Sequence, residues 1–354
     1  MSIIKQKTSC HTDIRSGRVR DVCGQRKDCL YPVLLKPALK NYIWGGSRLK
    51  SEFSVESENA IVAEAWMLSC NPAGASTITN GSLAGKTLAE VLFSEIDNTL
   101  GRKNTFSTYF PILIKLIDAA SDLSVQVHPG NGYALEKEGR FGKTEMWYIL
   151  DARKGANIYY GFSRPIPKNE LIERIERNTL PDVLNRVIVR PGDVFLIEPG
   201  TVHAIGAGIL VAEIQQNSDA TYRIFDYDRT DSSGKKRELH IEEALEVINT
   251  GVTPGSVKSY STVRCKGYSV VRLASCPYFS VDLVSVDTQA DLCCGSESFT
   301  SLLLIEGEGR ILFGNKAAGT DGIMDVRKGD SVFLPANTGD YRIQGKCRAL
   351  RTVR

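Results

Sequence analysis

A succession of short apolar segments, separated by turn residues such as Gly and Pro, constrains the fold of this chain more than any other feature. Between residues 60 and 229 these segments include IVAEAWMLS, YFPILIKLIDAA, LSVQVHP, EMWYILDA and DVFLIEPG. Runs of this length that are rich in Val, Ile and Tyr are typical of β-sandwiches and barrels. Helical periodicity is confined to residues 86–96, 167–186 and 240–249. The pattern therefore predicts a mainly β fold with a few helical insertions.

The C-terminal third of the sequence repeats part of this pattern. The segment RPGDVFLIEPGTVHAI (residues 190–205) is matched by RKGDSVFLPANTGDYRI (residues 327–343). Both begin with a basic residue followed by Gly and Asp, continue as a buried strand and reach a turn that contains Pro. The first copy then presents His203, whereas the second presents Asp340. An internal duplication of this kind predicts two jelly-roll-like lobes, of which only the first keeps a metal ligand.

We expect three regions along the chain. Residues 1–30 carry many charges, little apolar periodicity and no helix caps. They are expected to form an extension outside the fold, which is either flexible or an artefact of the assigned translation start. Residues 31–255 are expected to form a metal-binding lobe with the helical insertions, and residues 256–354 a C-terminal lobe without a metal site.

Composition and charge exclude several classes of protein. The 354 residues carry a formal net charge of +3, which indicates neither a nucleic-acid-binding surface nor a membrane-binding patch. No apolar run reaches the roughly 18 residues that a membrane span needs, and no signal-type apolar core follows the start. The nine cysteines include no C-x-x-C pair and are expected to be reduced thiols. We therefore expect a cytoplasmic protein.

Four side chains of the first lobe form a candidate metal site. Gln126 and His128 are two positions apart in a predicted strand, so both side chains project from the same face. Glu145 precedes an apolar strand, and His203 follows the turn EPGTV. If these strands line one barrel, the four side chains converge. Two imidazoles, a carboxylate and an amide oxygen suit a divalent first-row metal, with zinc the candidate for an isomerase or hydrolase and iron for an oxygenase.

Other charged residues accompany these ligands. Lys143 precedes Glu145 by two residues, and a lysine whose charged form is disfavoured beside a divalent metal is a candidate proton shuttle. Lys115 lies in the apolar strand PILIKLI, so it needs a buried partner or an anionic ligand. Asp219 and Arg223 flank a turn-to-strand junction. They form either an ion pair that holds the turn or a site where Arg223 stabilises developing negative charge.

Five blocks of the sequence resemble a known family. They are KPALKNYIWGG, LSVQVHP, GKTEMWYIL, PGTVHAIGAG and EIQQNSDATYRIFDYDR. In this order they are similar to the signature blocks of type I mannose-6-phosphate isomerases (phosphomannose isomerases) in their short bacterial form. The resemblance implies a cupin fold, one zinc ion per chain and the interconversion of mannose 6-phosphate and fructose 6-phosphate. Family members usually begin near Tyr31, and the larger eukaryotic members carry a helical domain that this chain is too short to hold in full.

The resemblance also implies roles for individual residues. The zinc ligands of the family correspond to Gln126, His128, Glu145 and His203, and its active-site Arg, Asp and Lys correspond to Arg223, Asp219 and Lys143. Isomerisation requires a base beside the C–H bond and a group that stabilises the enediolate. We therefore expect proton transfer through a cis-enediol, with Arg223 as the stabilising cation. Lys143, Asp219 and a metal-bound water all remain open as the base.

The binding site for the substrate phosphate is the least defined part of this prediction. The sequence contains no P-loop or Gly-rich phosphate cradle. The candidates are Lys115, Lys36 and the basic residues around Arg140. The expected partner is a hexose phosphate, and the expected state is a monomer or a homodimer.

Two other functions remain open. One is an Fe(II)-dependent cupin dioxygenase, because two His and a carboxylate also form a facial triad. The additional Gln ligand and the inward Arg and Lys argue against it. The other is a non-catalytic sugar-binding cupin, which would have little need of Arg223 and Lys143.

Overall fold

The computed structural model describes residues 30–94, 99–104, 109–230, 234–252, 261–315 and 320–354. The expected N-terminal extension lies outside these residues except for Leu30, which is buried. The expected boundary between residues 255 and 256 lies outside them as well.

Antiparallel strands are the main regular structure of the described chain and far outweigh its helices, which confirms the mainly β prediction. Up to residue 225 the strands are β1 (Val33–Lys36), β2 (Ala38–Lys40), β3 (Glu64–Leu68), β4 (Cys70–Asn71), β5 (Gly74–Ala75), β6 (Thr77–Ile78), β7 (Ile112–Ala119), β8 (Val125–Val127), β9 (Glu145–Ala152), β10 (Asn157–Phe162), β11 (Leu184–Ile188), β12 (Val194–Ile197), β13 (His203–Ile205), β14 (Ile209–Gln216) and β15 (Tyr222–Phe225). From residue 262 they are β16 (Thr262–Cys265), β17 (Tyr268–Ser275), β18 (Ser280–Val286), β19 (Gln289–Cys294), β20 (Thr300–Asn315), β21 (Thr320–Arg327), β22 (Ser331–Leu334) and β23 (Gly339–Val353).

Two sheets form the first lobe. The six-stranded sheet has the order β12-β9-β14-β7-β3-β2, and the five-stranded sheet has the order β11-β10-β13-β8-β15. Apolar side chains from both sheets, including Trp147, Ile158, Phe195 and Ile205, form one buried cluster. The two sheets therefore pack face to face, as the two sheets of a jelly roll do.

The second lobe repeats this strand order. Its main sheet contains the path β22-β20-β23-β18-β17, which corresponds to β12-β9-β14-β7-β3 of the first lobe. The pairing of β21 with β20 corresponds to the pairing of β11 with β10 in the first lobe. The pairing of β19 with β23 corresponds to the pairing of β8 with β13. The long strands β20 (16 residues) and β23 (15 residues) each replace two strands of the first lobe. The duplication inferred from sequence is therefore present in the topology.

The two lobes also share strands and a core. β1 and β6 come early in the chain, yet they extend the sheet of the second lobe in the order β22-β1-β6, with Val33 opposite Phe333. Phe110 of the first lobe stacks on Phe299 with ring centroids 5.2 Å apart, and Phe299 stacks on Phe333. One apolar cluster therefore continues from one lobe into the other.

The helices are more numerous and shorter than the sequence predicts. They are α1 (Arg48–Phe53), α2 (Leu88–Phe93), α3 (Asn131–Glu138), α4 (Lys168–Glu176) and α5 (Ile241–Val247). The predicted helix at 86–96 becomes α2, which begins with a capping box between Thr87 and Glu90. The prediction of one helix over 167–186 was wrong beyond α4, because Asn178 adopts a left-handed conformation with φ of 56°. A 3₁₀ turn at Leu180–Val183 and strand β11 follow instead.

Candidate functional site

Strand pairing brings the four predicted metal ligands together. β8 carries Gln126 and ends just before His128, and Gln126 lies directly opposite His203 in the pairing of β8 with β13. Glu145 is the first residue of β9 on the facing sheet. All three strands line the interior of the first lobe, which is why residues so distant in sequence meet there.

Three of these residues converge closely. His128 Nε2 lies 3.4 Å from Glu145 Oε2, and His203 Nε2 lies 3.3 Å from Glu145 Oε1. One ligand atom from each of the three lies within 4.8 Å of the others, and the rest of the described chain contains no second group of His, Cys, Asp or Glu like this one. The Gln126 amide lies 3.4 Å from His203 Nε2, so a rotation of this amide would direct its oxygen to the same point. All four predicted ligands thus meet.

Backbone carbonyls orient both imidazoles. The Nδ1 atom of His128 lies 2.8 Å from the carbonyl oxygen of Ala220, and that of His203 lies 2.8 Å from the carbonyl oxygen of Thr201. Because a carbonyl only accepts hydrogen bonds, each Nδ1 carries the hydrogen and each Nε2 of the neutral ring keeps its lone pair. Burial lowers the pKa of His203, and burial together with the Lys143 charge lowers that of His128 to about 3. Both rings are therefore neutral donors aimed at one point, as metal-binding histidines are.

Glu145 is a fully buried carboxylate whose two oxygens accept no hydrogen bond within the described residues. Burial opposes its ionisation, but the Lys143 ammonium outweighs burial and holds the pKa of Glu145 well below its usual range. Lys143 Nζ lies 3.0 Å from Glu145 Oε2 and 3.1 Å from His128 Nε2. Lys143 already supplies one cation to this buried, ionised carboxylate, and each carboxylate oxygen also faces the Nε2 atom of an imidazole. This donor set fits a divalent metal ion, and zinc in particular.

A cavity of about 350 Å³ lies over this cluster. Gln126 and Lys143, which contact the other ligands, are among the residues that line it, together with Asp219 and Arg223. The cavity wall is both aromatic and charged. A pocket of this size with a few converging polar groups suits a small polar ligand.

Arg223 is half-buried in the cavity wall. Its Nε donates to Ser124 Oγ (3.2 Å) and its Nη1 to the carbonyl oxygen of Glu238 (2.8 Å). No carboxylate forms an ion pair with it among the described residues, and burial, followed by the charge of Arg237, lowers its pKa. The expected alternative of an ion pair between Arg223 and Asp219 is therefore absent here. The guanidinium is available to an anionic ligand.

Lys115 lies in the same cavity but is already paired. Its Nζ lies 3.0 Å from Glu213 Oε1 and 3.6 Å from Glu64 Oε2. These carboxylates are in turn fixed by tryptophan N–H donors, with Trp147 to Glu213 at 2.9 Å and Trp66 to Glu64 at 2.7 Å. Burial opposes the charge of Lys115, but the two carboxylates outweigh burial and raise its pKa. Lys115 is therefore a charged member of a buried network.

Two other predicted residues lie farther from the cluster. Asp219 lines the cavity but is exposed, and Arg140 Nη1 lies 2.9 Å from its carboxylate. Lys36 ends β1, points into solvent and lies 3.6 Å from Glu56. It is not among the residues that line the cavity. The pairing of β1 with the second lobe explains this position.

Several cavity residues were missed by sequence reasoning. They are Lys40, Tyr42, Trp44, Glu64, Trp66 and Arg237. One signal for two of them was present, because Glu64 and Trp66 are two positions apart in β3 and so share a face. Lys40 lies over the Trp66 ring at 4.7 Å from its centroid, a contact that requires the pairing of β2 with β3 to be known.

Comparisons with family models and sequences find consistent relatives. Residues 33–155 match the model for the catalytic domain of type I phosphomannose isomerase, and residues 270–353 match that for the cupin domain of mannose-6-phosphate isomerase. The chain is 38% identical to the mannose-6-phosphate isomerase ManA of Bacillus subtilis, over 89% of this chain and 96% of that protein. It is 36% identical to the mannose-6-phosphate isomerase of Streptococcus mutans, over 89% of this chain and 95% of that protein.

Solved structures show the same similarity. The crystal structure of the mannose 6-phosphate isomerase from Bacillus subtilis matches with a TM-score of 0.84 and 36% identity, over 91% of this chain and 99% of that chain. A putative mannosephosphate isomerase from Archaeoglobus fulgidus matches with a TM-score of 0.72 and 24% identity, over 93% of this chain and 99% of that chain. At that lower identity the second match shows the fold alone.

Proposed function

The chain belongs to the type I phosphomannose isomerase family, and we propose that it interconverts mannose 6-phosphate and fructose 6-phosphate with one zinc ion per chain. The family relation, over most of both chains, makes it an aldose–ketose isomerase. Mannose 6-phosphate, which the names of its relatives contain, fits a cavity of about 350 Å³ with cationic side chains. To this activity we add two proposals, namely that the metal ion is zinc and that the proton is transferred through a cis-enediol.

One observation carries the metal proposal. The Nε2 lone pairs of His128 and His203 and both oxygens of Glu145 are directed to one buried point. Together with the Gln126 amide these residues would hold the zinc ion, which supplies Lewis-acid polarisation of a substrate oxygen when it is bound. The additional amide donor favours zinc over an iron facial triad.

The residues of the chain then have two tasks. Moving the carbonyl between C1 and C2 requires removal of a proton from the carbon beside it and stabilisation of the resulting enediolate. Arg223, half-buried and without a carboxylate partner among the described residues, would hold the enediolate oxygen by charge and hydrogen bonding. One base that carries the proton between C2 and C1 on a single face implies a cis-enediol.

We favour Lys143 as the base, acting in a neutral form that a bound zinc ion would favour by replacing the ammonium as the cation beside Glu145. Its Nζ is buried, lines the cavity and lies 3.0 Å from Glu145. Asp219 is exposed and engaged by Arg140, so it is better placed to orient that side of the cavity than to abstract a proton. Removal of a proton from carbon requires a positioned and desolvated base, and of these two residues only Lys143 is desolvated.

We propose that the substrate phosphate is bound by cationic side chains that line the cavity. Lys115 remains a candidate, although Glu213 and Glu64 already offset its charge. Lys36 does not line the cavity, so its role as a phosphate ligand has no geometric support. Lys40 and Arg237 do line it and add positive charge to the wall.

A coupled isomerase assay tests the proposal. Fructose 6-phosphate is supplied, mannose 6-phosphate is measured, and the protein is assayed as purified, after chelation and after zinc is restored. We expect activity in the protein as purified, loss of activity after chelation and recovery of activity when zinc is restored. Turnover in a sample verified to be zinc-free would remove the metal from the account. A zinc-loaded protein that binds the sugar without converting it would support a binding cupin instead, and oxygen consumption by an iron-loaded protein would support a dioxygenase.

Location and assembly stay predictions. No helix in the described ranges is both long and apolar enough to cross a membrane. We place the protein in the cytoplasm as a monomer or homodimer, in keeping with a substrate of central carbohydrate metabolism.

A further inference from the structure

We propose that Gln216 and Asn131 are positioning residues, which fix the backbone around Lys143 so that its amine reaches the substrate carbon. This inference rests on the proposed role of Lys143 as the base. Strand β9 begins at Glu145, which is paired with β12 and with β14, whereas Lys143 precedes this strand. The strand pairing therefore places the metal ligand Glu145, and other contacts must place the base.

Two amide side chains bind the backbone on either side of Lys143. The Gly142 N–H donates to Asn131 Oδ1 (2.9 Å), and the Thr144 N–H donates to Gln216 Oε1 (2.9 Å). Because a backbone N–H is always a donor, each amide must turn its oxygen towards it. The Nε2 of Gln216 then donates to Asn131 Oδ1 (3.0 Å), which joins the two side chains. We call this pair, Asn131 and Gln216, the amide clamp.

The backbone is also tightly packed at this point. The Lys143 N–H donates to the carbonyl oxygen of Pro129 (3.0 Å), and Pro129 directly follows the ligand His128. A Cβ atom at position 142 would collide with the backbone of Gly130, so only glycine fits there without a shift. The turn after His128 and the segment before Lys143 are therefore in direct contact, and the amide clamp holds them together.

The second lobe also contacts the amide clamp. Asn131 is half-buried at the start of α3, and its Nδ2 donates to the Tyr278 hydroxyl (3.2 Å). Tyr278 lies in the turn between β17 and β18 of the second lobe. This lobe supplies none of the four predicted metal ligands, yet it holds one end of the clamp. It therefore takes part in placing Lys143.

The placement of Lys143 matters because it acts on a carbon atom. In the aldose-to-ketose direction its neutral amine takes the proton from C2, the C–H electron pair forms the C1–C2 double bond, and the carbonyl electron pair moves to O1. A displacement of about 1 Å can lower the rate of such a step by about 100-fold. Gln216 and Asn131 are not among the described residues that line the cavity. Loss of the amide clamp should therefore slow proton transfer and leave substrate binding intact.

Steady-state kinetics on the zinc-loaded full chain tests the amide clamp, with mannose 6-phosphate and its C2-deuterated form as substrates. Gln216→Met removes both hydrogen bonds of this side chain and keeps its bulk. We expect kcat per bound zinc to fall by about 10-fold, with KM close to that of the wild type. The deuterium isotope effect on kcat should be at least as large as in the wild type, because removal of the C2 proton then limits turnover.

Asn131 provides a second variant and a rescue. Asn131→Leu removes the acceptor of the Gly142 N–H and should also lower kcat by about 10-fold. Since Asn131 is only half-buried, this variant serves if Gln216→Met does not fold. Asn131→Asp keeps an acceptor oxygen and should restore most of the lost turnover. Asn185→Leu is the matched control, because Asn185 is a half-buried amide outside the cavity that donates to the Tyr160 carbonyl, and it should behave like the wild type.

Several results would overturn this inference. Wild-type kcat in folded, zinc-loaded Gln216→Met or Asn131→Leu would show that the amide clamp does not place the base. Loss of zinc from either variant would make the clamp a support of the ligand Glu145 instead. An isotope effect that falls to unity would show that a step other than proton removal was slowed. Asn131→Asp as slow as Asn131→Leu would show that the acceptor oxygen is not what matters.

Two further measurements test the premise separately. Wild-type turnover in Lys143→Met would overturn the role of Lys143 as the base, and this inference with it. A zinc-loaded wild type that does not convert the sugar would overturn the proposed isomerase function itself. Slow turnover of Lys143→Met together with slow turnover of both clamp variants supports the base and the clamp.

Discussion

The two lobes place different chemistry on the same arrangement of strands. In each, a residue at the start of one strand lies opposite a residue of its neighbour, His203 opposite Gln126 in the first lobe and Asp340 opposite Cys293 in the second. Only the first pair belongs to a cluster that can hold a metal ion. The shared topology thus provides positions, and the side chains decide whether a position becomes a metal ligand.

The two lobes also carry an ion pair at equivalent positions of paired strands. The pairing of β7 with β14 sets Lys115 opposite Glu213, and the pairing of β18 with β23 sets Asp282 opposite Arg351. Both are ion pairs with the signs exchanged between the strands, and the first is buried whereas Arg351 of the second is partly exposed. A strand register can therefore keep a charge pair while its polarity changes.

The largest difference between the lobes should appear at the ligand positions. We expect His203→Ala to lower turnover about 1,000-fold, because Lewis-acid stabilisation is worth several kcal/mol. Asp340→Ala, at the equivalent position of the second lobe, should leave turnover unchanged. Steady-state kinetics on both folded variants measures this, and equal losses in the two would remove the distinction between the lobes.

The two ion pairs should differ in what their loss costs. Lys115→Met leaves Glu213 and Glu64 without their cation and should reduce the free energy of unfolding by about 3 kcal/mol. Arg351→Met should cost less, about 1 kcal/mol, because Asp282 keeps Arg272. Urea unfolding gives both values. A cost for Arg351→Met as large as that for Lys115→Met would show that the inverted pair is not backed by a second cation.

Arg223 lies on β15, which has no counterpart in the strand order of the second lobe. We expect Arg223→Ala to lower turnover about 100-fold, by analogy with removal of an oxyanion-stabilising donor. Its zinc content should match that of the wild type, since the Arg223 side chain donates to Ser124 and to the carbonyl of Glu238 rather than to any of the four ligands. Full turnover in this variant would remove Arg223 from the chemistry, and loss of zinc would make it a structural support of the metal site.

The smallest expected effect is on how the free energy of unfolding changes with pH, and it arises from Asp226, which follows β15. Burial opposes the ionisation of Asp226, but hydrogen bonds from Arg237 and Arg229 outweigh burial and lower its pKa. A lowered folded-state pKa adds stability above the ordinary value near 4, and this stability is lost as pH falls through the folded-state pKa. Asp226→Asn should therefore be about 1 kcal/mol less stable than the wild type at pH 7, and this deficit should shrink as pH falls below about 4.

Unfolding at several pH values checks this prediction. Asp325→Asn, which breaks the exposed pair with Arg310 in the second lobe, serves as the control and should change stability little at any pH. A deficit of Asp226→Asn that stays constant down to pH 2 would show that its charge is not the cause.

Local patterns in the sequence predicted much of this site. Strand alternation identified Gln126 and His128 on one face, and the repeated turn identified His203 and its replacement Asp340, because these signals depend only on neighbouring residues. Lys36 was not predictable in this way. Its strand pairs with β22, almost 300 residues later in the chain, and this pairing takes it away from the cavity.

Other differences also arise from tertiary structure. The apolar spacing of residues 167–186 suggested a helix that reached residue 186, but pairing with β10 places residues 184–188 in strand β11. The partners of Lys115 lie on β3 and β14, so the sequence could show that a partner was needed without identifying it. Helices α1 and α3 span six and eight residues, too few for a clear periodic signal.

Metal analysis tests the central claim most directly. Zinc per chain is measured by mass spectrometry in the purified wild type, in Asp340→Ala and in the double variant His128→Ala/His203→Ala, after equal exposure to zinc and dialysis. We expect one zinc per chain in the first two proteins and close to none in the double variant. One zinc per chain retained by a folded double variant, or none in the wild type, would contradict this expectation.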